Sequence, residues 1–268
     1  MKVKDLLSLN KGSQRDRQLL LAHLLSKRPA DVYLLMEEEV PQEIVQKYMS
    51  MLEALEELPL QYLIGEWDFM GRTFKVEEGI LIPRPETELL VEKVLSLLEK
   101  DKDLLGFEIG VGTGCISISL LLERPRLRMY ASDVQQKAIE LARKNAQRYG
   151  VQDRLFLVLG DMFEPVKDMV FDFVVSNPPY IPKRMWEKLD PKVRKEGYLS
   201  LIGGEKGTEF YERFSKEVGK HLKEGGFFAL EIGHDQGKVV RKLFEKEGFR
   251  VEVYKDLSGQ DRLVVGWK

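Results

Sequence analysis

Asn177-Pro178-Pro179-Tyr180 ends the apolar run 170–176 with a polar amide, two prolines and an aromatic ring. Two successive prolines fix φ and remove two backbone donors, and Pro178 disfavours helical backbone at Asn177. The turn is therefore stiff. The Asn177 side chain and the carbonyls around it can converge on one external group, and Tyr180 supplies a flat face beside them. Such an array suits a planar NH2 group: acceptors take its two protons and a ring packs on its plane. A rigid strand-end turn without chemistry is the plainer alternative, and the residues upstream bear on the choice.

Upstream, 104–109 reads as a short buried strand running into Glu108-Ile109-Gly110-Val111-Gly112-Thr113-Gly114, and 115–122 continues as an apolar helix. Strand, glycine turn, helix is the context a nucleotide-type loop requires. The glycines permit a tight turn and let a ligand approach the backbone without Cβ clashes. The spacing G-x-G-x-G differs from the dinucleotide fingerprint G-x-G-x-x-G, and no Gly-Lys-Ser/Thr follows, so this is no P-loop. A carboxylate at Glu108 would repel a pyrophosphate but favours a cationic or amine-bearing ligand. That points to S-adenosylmethionine rather than a nicotinamide cofactor.

The next strands carry suitable groups at their ends. Residues 127–132 end at Asp133, nineteen residues beyond Gly114. An acid at this distance can accept hydrogen bonds from both ribose hydroxyls, with Val134 beside it. The alternative is that Ser132 or Asp133 caps the helix expected over 135–149. A third strand, 155–159, ends at Gly160-Asp161-Met162-Phe163. Asp161 is placed to accept from an adenine amino group, and Met162 and Phe163 either pack on the adenine ring or belong to the core. With Asn177, four strand ends in order carry a ligand-compatible group.

Taken together, these motifs resemble the class I S-adenosylmethionine-dependent methyltransferases. Within them the chain is similar to the protein-glutamine N5-methyltransferases that modify class I peptide chain release factors, the HemK/PrmC family. The resemblance runs through Leu19-Leu20-Leu21-Ala22-His23, Pro59-Leu60-Gln61-Tyr62-Leu63-Ile64-Gly65, Ile82-Pro83-Arg84-Pro85-Glu86-Thr87-Glu88, the glycine loop, Asn177-Pro178-Pro179-Tyr180-Ile181-Pro182, Leu230-Glu231-Ile232-Gly233 and Gly259-Gln260-Asp261-Arg262. The chain departs from the family where a Glu-Pro-Arg-like stretch usually stands; here 196–204 begins Glu196-Gly197-Tyr198 and ends Gly203-Gly204. Met162 replaces a frequent Trp beside the third-strand acid. The resemblance implies an α/β, Rossmann-like domain with a mainly parallel seven-stranded sheet. It implies Glu108, Gly110, Val111, Gly112, Thr113, Gly114, Asp133, Val134, Asp161, Met162 and Asn177 around S-adenosylmethionine, converted to S-adenosylhomocysteine. It also implies that 84–88 closes over the methionine end of the cofactor; the alternative there is a helix N-terminus with a proline and an acidic first turn.

The elements that must position these residues divide near residue 70. Residues 1–65 read as helical, with an apolar block at 18–26, another at 33–39, and a helix opened by Pro41, since proline suits a first turn. This segment is too short for a large core and is expected to form a small bundle, which the resemblance makes a substrate-recognition domain. Residues 66–78 alternate around Gly71 as a β-hairpin would and form the linker. From 79 to 268, strands alternate with helices, including strands at 227–232, 250–254 and 262–267 and a helix at 237–247. Such alternation implies a parallel sheet covered on both faces, with ligands outside the carboxyl ends of its strands.

The 268 residues suit one α/β domain with a small partner, and a net charge of −2 argues against a general polyanion binder. One cysteine, Cys115, excludes an internal disulfide and disfavours a cysteine metal site; on an apolar helix it reads as core, and no metal is expected. No apolar block follows Met1-Lys2-Val3-Lys4-Asp5, and no run approaches a membrane span. The expectation is a cytoplasmic monomer without membrane contact. Lys183, Arg184, Lys188, Lys192, Arg194 and Lys195 cluster after the turn, but Glu187, Asp190 and Glu196 dilute them, so direct nucleic-acid contact is not expected. Trp186 among them is either an interface anchor or a packed loop aromatic. The three histidines, His23, His221 and His234, suggest no catalysis.

An amide nitrogen is a poor nucleophile because its lone pair is delocalised. Acceptance of its protons by the Asn177 oxygen and the Pro178 carbonyl would draw it toward a pyramidal geometry, with Tyr180 packing on the amide plane. Asn177, Pro178, Pro179 and Tyr180 are thus the candidate catalytic residues for methyl transfer to the Gly-Gly-Gln glutamine of a class I release factor. A ribosomal-protein glutamine is a close variant. An adenine-N6 nucleic-acid methyltransferase shares the Asn-Pro-Pro-Tyr motif but calls for a large basic recognition domain and a flipped-base pocket. A non-catalytic module that keeps the fold is the third reading.

Overall fold

A capping box starts the first long helix: Ser13 Oγ accepts from the Asp16 N–H (3.0 Å), and Asp16 Oδ2 accepts from the Ser13 N–H (3.2 Å). The computed structural model describes all 268 residues, and their contacts divide them into two units, Met1–Glu66 with Asp190–Lys195, and Trp67–Leu189 with Glu196–Lys268. The first contains α1 (Val3–Leu7), α2 (Gln14–Leu24), a 3-10 turn (Pro29–Leu35), α3 (Gln42–Ala54) and α4 (Leu60–Ile64). Leu6, Leu20, Leu21, Tyr48 and Leu52 are buried. The Tyr48 hydroxyl donates to the Leu6 carbonyl at 3.2 Å, tying α3 to α1. Two expectations are corrected here. The apolar block at 18–26 lies mostly in α2, which starts earlier at its cap and ends before Ser26, whose φ is 53°. Of the block at 33–39, only 33–35 lie in the 3-10 turn, which Pro29 opens, and the rest is irregular as far as the Lys2–Glu39 bridge; Pro41 disfavours helix at Val40.

β1 (Glu66–Phe69) and β2 (Arg72–Lys75) form a hairpin whose two turn residues, Met70 and Gly71, both have positive φ (52° and 68°), as a type I′ turn requires. Buried Asn145 bonds this hairpin to the glycine loop. Its Oδ1 accepts from the Lys75 N–H (2.8 Å), while Nδ2 donates to the carbonyls of Lys75 (3.1 Å) and Thr113 (2.8 Å).

The second unit continues with α5 (Pro85–Leu97), β3 (Leu104–Ile109), α6 (Cys115–Glu123), β4 (Leu127–Asp133), α7 (Gln136–Arg148), β5 (Leu155–Leu159) and β6 (Phe171–Ser176). After the short α8 (Pro191–Arg194), which belongs to the first unit, come α9 (Tyr198–Leu201), α10 (Glu209–His221), β7 (Leu222–Glu231), α11 (Gly237–Lys246), β8 (Arg250–Lys255) and β9 (Asp261–Trp267). The seven-stranded sheet has the order β5-β4-β3-β6-β7-β9-β8. Its first five strands are parallel, and β9 runs antiparallel to both neighbours.

The central strands read as nearly unbroken apolar runs because both faces are covered. Successive side chains alternate between two cores. Phe173, Val175, Phe227 and Ala229 point into one, with Val91, Ile118 and Phe74. Val174, Phe228 and Leu230 point into the other, with Phe107, Phe214 and Phe244. β7 begins at Leu222, earlier than the expected 227: Leu222 pairs with Phe171, and a register shift precedes the Phe173–Phe227 pair. The chain passes from β3 outward to β4 and β5, then returns to β6 on the other side of β3. Loops leaving the carboxyl ends of β3 and β6 therefore diverge, opening a crevice where ligands bind in sheets of this kind.

Candidate active site

A cavity of about 370 Å³ lies at those carboxyl ends. From the glycine loop it is lined by Glu108, Gly110, Val111, Gly112 and Thr113; from the ends of β4 and β5 by Asp133, Val134, Asp161 and Met162; and from the turn after β6 by Asn177, Pro178 and Pro179. Gly114 and Tyr180, also expected at the site, adjoin these residues in the chain but do not line the cavity.

The loop is shaped by its glycines. Gly110 has φ 76° and Gly114 φ 82°, values that L side chains avoid. A Cβ at Gly114 would also stand 3.0 Å from Ile118 and 3.2 Å from Ala142, where α6 packs on α7. The Gly110 and Val111 N–H groups both donate to the Ser132 carbonyl (2.8 and 2.9 Å), fastening the loop to β4. Asp133 continues the fastening: Oδ2 accepts from the Gly112 N–H (3.0 Å) and Oδ1 from the Gln135 N–H (2.9 Å). It does not cap α7, whose N-cap position is Gln135 with no side-chain bond. Each carboxylate oxygen keeps a lone pair for an external hydroxyl. Burial raises the Asp133 pKa, and its backbone donors offset part of that rise.

Glu108 is 1% exposed, and its Oε2 accepts both the backbone N–H (3.0 Å) and the hydroxyl of Ser117. Its Oε1 has no protein partner. Burial pushes this carboxyl up to about 8, so a cation in the cavity would be a strong counter-charge. Cys115 is buried and its thiol pushed up to about 12 by burial, which fits the core reading.

The adenine-side expectation divides. Met162 lines the cavity in a left-handed conformation (φ 49°). Phe163 does not line it: the ring is buried and stacks on His221 (4.3 Å, 3°) beside Phe107 and Phe214. Asp161 faces the cavity but already pairs with Arg213 at 2.6 Å.

Asn177 is held by Thr87 and Glu231, which stood in the sequence motifs with no role toward this turn. Its Nδ2 donates to Thr87 Oγ1 (3.0 Å), and the Thr87 hydroxyl donates to Glu231 Oε2 (2.7 Å). The Tyr180 hydroxyl donates to Glu231 Oε1 at 3.4 Å, its ring packs on the second core, and burial pushes it up to about 12. Asn177 Oδ1 has no protein partner. Behind the turn, Gln236 Nε2 donates to the Tyr180 carbonyl (3.0 Å), and Gly203 lies so close that a Cβ would meet the Pro179 carbonyl oxygen at 2.3 Å.

The segment 84–88 is the N-terminus of α5, with Arg84 at the cap position and Pro85 first; Arg84 and Thr87 also line the cavity. Arg84 pairs at 2.5 Å with Glu196, which is 2% exposed and also accepts from the Ile82 N–H (3.1 Å). Glu196 opens the stretch that departs from the family pattern, and burial raises its pKa against the pull of Arg84. In the basic segment, Lys183 pairs with Glu205 (2.7 Å) and Trp186 packs edge-on to Tyr198 (5.1 Å, 67°). No cluster of three or more His, Cys, Asp or Glu side chains is placed to hold a metal. No helix is long and apolar enough to cross a membrane.

Comparison with known proteins identifies the family. Residues 85–189 match the family described as Methyltransferase small domain, and 3–65 match the PrmC N-terminal domain. A methyltransferase structure from Pyrococcus furiosus shares the fold, with a TM-score of 0.57 at 21% identity over 75% of this chain and 90% of that one. The release factor glutamine methyltransferase of Bacillus cereus is 38% identical over 92% of this chain and 90% of its own length. That of Aquifex aeolicus is 54% identical over 99% of this chain and 95% of its own. The chain belongs to the release factor glutamine methyltransferase family.

Proposed function

We propose that this protein transfers a methyl group from S-adenosylmethionine to the side-chain amide nitrogen of the glutamine in the Gly-Gly-Gln motif of class I release factors. The observation that carries the reading is Asn177 Oδ1: an acceptor without a protein partner, on a doubly proline-stiffened turn, in the wall of a cavity. The cavity also fits the cofactor. Its volume is within the usual range for small-molecule sites, the glycine loop gives close backbone approach, Asp133 retains acceptor capacity for ribose hydroxyls, and Glu108 Oε1 awaits a positive group.

Bound S-adenosylmethionine supplies an electrophilic methyl on a sulfonium and leaves as S-adenosylhomocysteine. The protein's task is to prepare the amide. Asn177 Oδ1 and the Pro178 carbonyl accept hydrogen bonds from its two N–H groups, which draws the nitrogen lone pair out of conjugation. The fixed turn holds the nitrogen for in-line approach, so positioning supplies much of the rate. No covalent enzyme intermediate forms, and no general base is required, because the nitrogen becomes acidic once methylated and its proton passes to water. Arg84 to Glu88 close the methionine end, anchored through Glu196. Tyr180 contributes by bracing the turn through Glu231.

Residues 1–65 serve as the substrate-recognition domain, with 66–78 as linker to the methyltransferase domain at 79–268. A substrate of the translation apparatus places the reaction in the cytoplasm, with a monomeric enzyme acting on a protein partner without direct nucleic-acid contact. The test is transfer of labelled methyl to purified class I release factor, with duplex and single-stranded DNA in parallel. A single methyl on the Gly-Gly-Gln glutamine is expected. Label on DNA alone, or none on the release factor, would overturn the reading.

A further inference from the structure

We propose that Thr87 and Glu231 are positioning residues that set the polarity of the Asn177 amide, keeping Oδ1 rather than Nδ2 toward the cavity. The inference rests on the reading of Asn177 as the acceptor for the substrate amide. Both residues are 2% exposed, so water does not compete freely for their bonds. An ionised carboxylate is acceptor-only, whereas a threonine hydroxyl has one proton and two lone pairs. With Glu231 Oε2 at 2.7 Å, the Thr87 proton is committed to Glu231. Thr87 can then offer Asn177 only a lone pair, and the group 3.0 Å away must be the NH2. A flipped amide would set two acceptors against each other and point two donors at a substrate that is itself a donor.

Protonation of Glu231 reverses this logic. A protonated Oε2 can donate to Thr87 Oγ1, whose own proton is then free for Asn177 Oδ1. Burial pushes Glu231 up to about 7, so the exchange falls near neutrality. The groups facing it are Thr87 and Glu86 on α5, Tyr180 after β6, Tyr211 on α10, whose hydroxyl donates to the Glu231 carbonyl (2.8 Å), and Arg262 on β9. Arg262 favours the charged form and Glu86 opposes it. Tyr180 and Tyr211 hold their phenolic protons far above neutrality, leaving Glu231 as the group of this relay that exchanges a proton there.

The test compares T87V, T87S and E231Q with wild type in two assays. In single-turnover methylation of release factor at saturating S-adenosylmethionine, T87V should lose about 10-fold or more in rate, the scale of one misdirected hydrogen bond. T87S should recover most of that loss, and the rise in wild-type rate with pH near neutrality should vanish in E231Q. In the second assay the Asn177 side-chain NH2 resonance, assigned by its loss in N177A, is followed by nitrogen-15 NMR from pH 5.5 to 8.5. It should titrate in wild type and T87S but not in T87V or E231Q. A T87V protein with wild-type rate and an unchanged Asn177 titration would overturn the inference, as would T87S behaving like T87V. Absence of methylation by wild type, with the titration intact, would instead count against the substrate reading and leave the relay standing.

Discussion

Asn177 Oδ1 is the atom on which the reaction turns, and truncating it separates binding from turnover. Asn177→Ala removes one acceptor from the substrate amide and nothing from the glycine loop, Asp133 or Glu108. The expected result is a loss of about 100-fold or more in kcat, the scale seen when one transition-state hydrogen-bonding group is deleted. S-adenosylhomocysteine affinity, measured by calorimetry, should stay within about threefold. Cofactor binding lost in parallel with turnover would place Asn177 in the cofactor site instead. Asn177, Asp133 and Glu108 were legible because each sits at a strand end beside a turn whose composition is local. The bonds that join Thr87 and Glu231 to Asn177 were not, since Thr87 stands 90 residues from Asn177 and 144 from Glu231. Only the packing of α5 against the sheet brings Thr87 to them, and no local pattern encodes a hydrogen bond of that span. Phe163 follows the core alternative: beside a Met162 whose φ is 49°, its side chain lies in the second core rather than at the cavity.

At the scale of elements, the turn after β6 is rigid partly because another strand-like segment is pressed against it. The Ile181 N–H donates to the Leu201 carbonyl, the Gly203 N–H to the Ile181 carbonyl, both at 3.0 Å, and the Lys183 N–H to the Gly204 carbonyl at 2.8 Å. A Cβ at Gly203 would meet backbone rather than a yielding side chain, so Gly203→Ala must displace the Asn-Pro-Pro-Tyr turn. We expect destabilisation of about 1–3 kcal/mol, as for other overpacked sites, and a larger fractional loss of kcat than of cofactor affinity. Thermal unfolding and single-turnover rates check this; a variant with normal stability and rate would show that the turn yields. Most elements of the second unit were readable because buried parallel strands and amphipathic helices carry strong periodic signals. The start of β7 was not, since Lys223-Glu224-Gly225-Gly226 is polar and its pairing depends on a register shift opposite β6. The role of Glu196 was likewise hidden: it departs from no helical or strand pattern, and its partner Arg84 lies 112 residues earlier.

For the molecule as a whole, buried acids set the pH response. Glu108 stands at about 8 and Glu231 at about 7 against a usual value of 4.5, in both cases chiefly through burial. Between about pH 4.5 and 8 the folded chain therefore holds protons that the unfolded chain has released. Their stabilising contribution is complete below that window and is lost as the pH rises through it. Exposed carboxylates paired with cations act in the opposite sense: Glu37, held to about 2 by bonds to Lys4 and Lys2, favours the fold above its unfolded value and loses this as pH falls. Solvent screening makes that contribution small. Ligand-free protein should accordingly be most heat-stable at about pH 5 and lose several degrees of Tm by about pH 8.5, since about 1 kcal/mol corresponds to about 2–4 °C for a chain of this size. Glu108→Gln keeps an acceptor for Ser117 but cannot ionise, so its Tm should fall less over the same range and exceed wild type at the alkaline end. The same linkage acts on ligand binding. A positive ligand facing Glu108 lowers its pKa, so S-adenosylmethionine binding at about pH 7 should release protons. Calorimetry in two buffers of different ionisation enthalpy reads that release directly, and Glu108→Gln should reduce it. A Tm that climbs from pH 5 to 8.5, or proton release unchanged by the substitution, would show that Glu108 is already ionised in the free protein and that the charge of the ligand is balanced elsewhere.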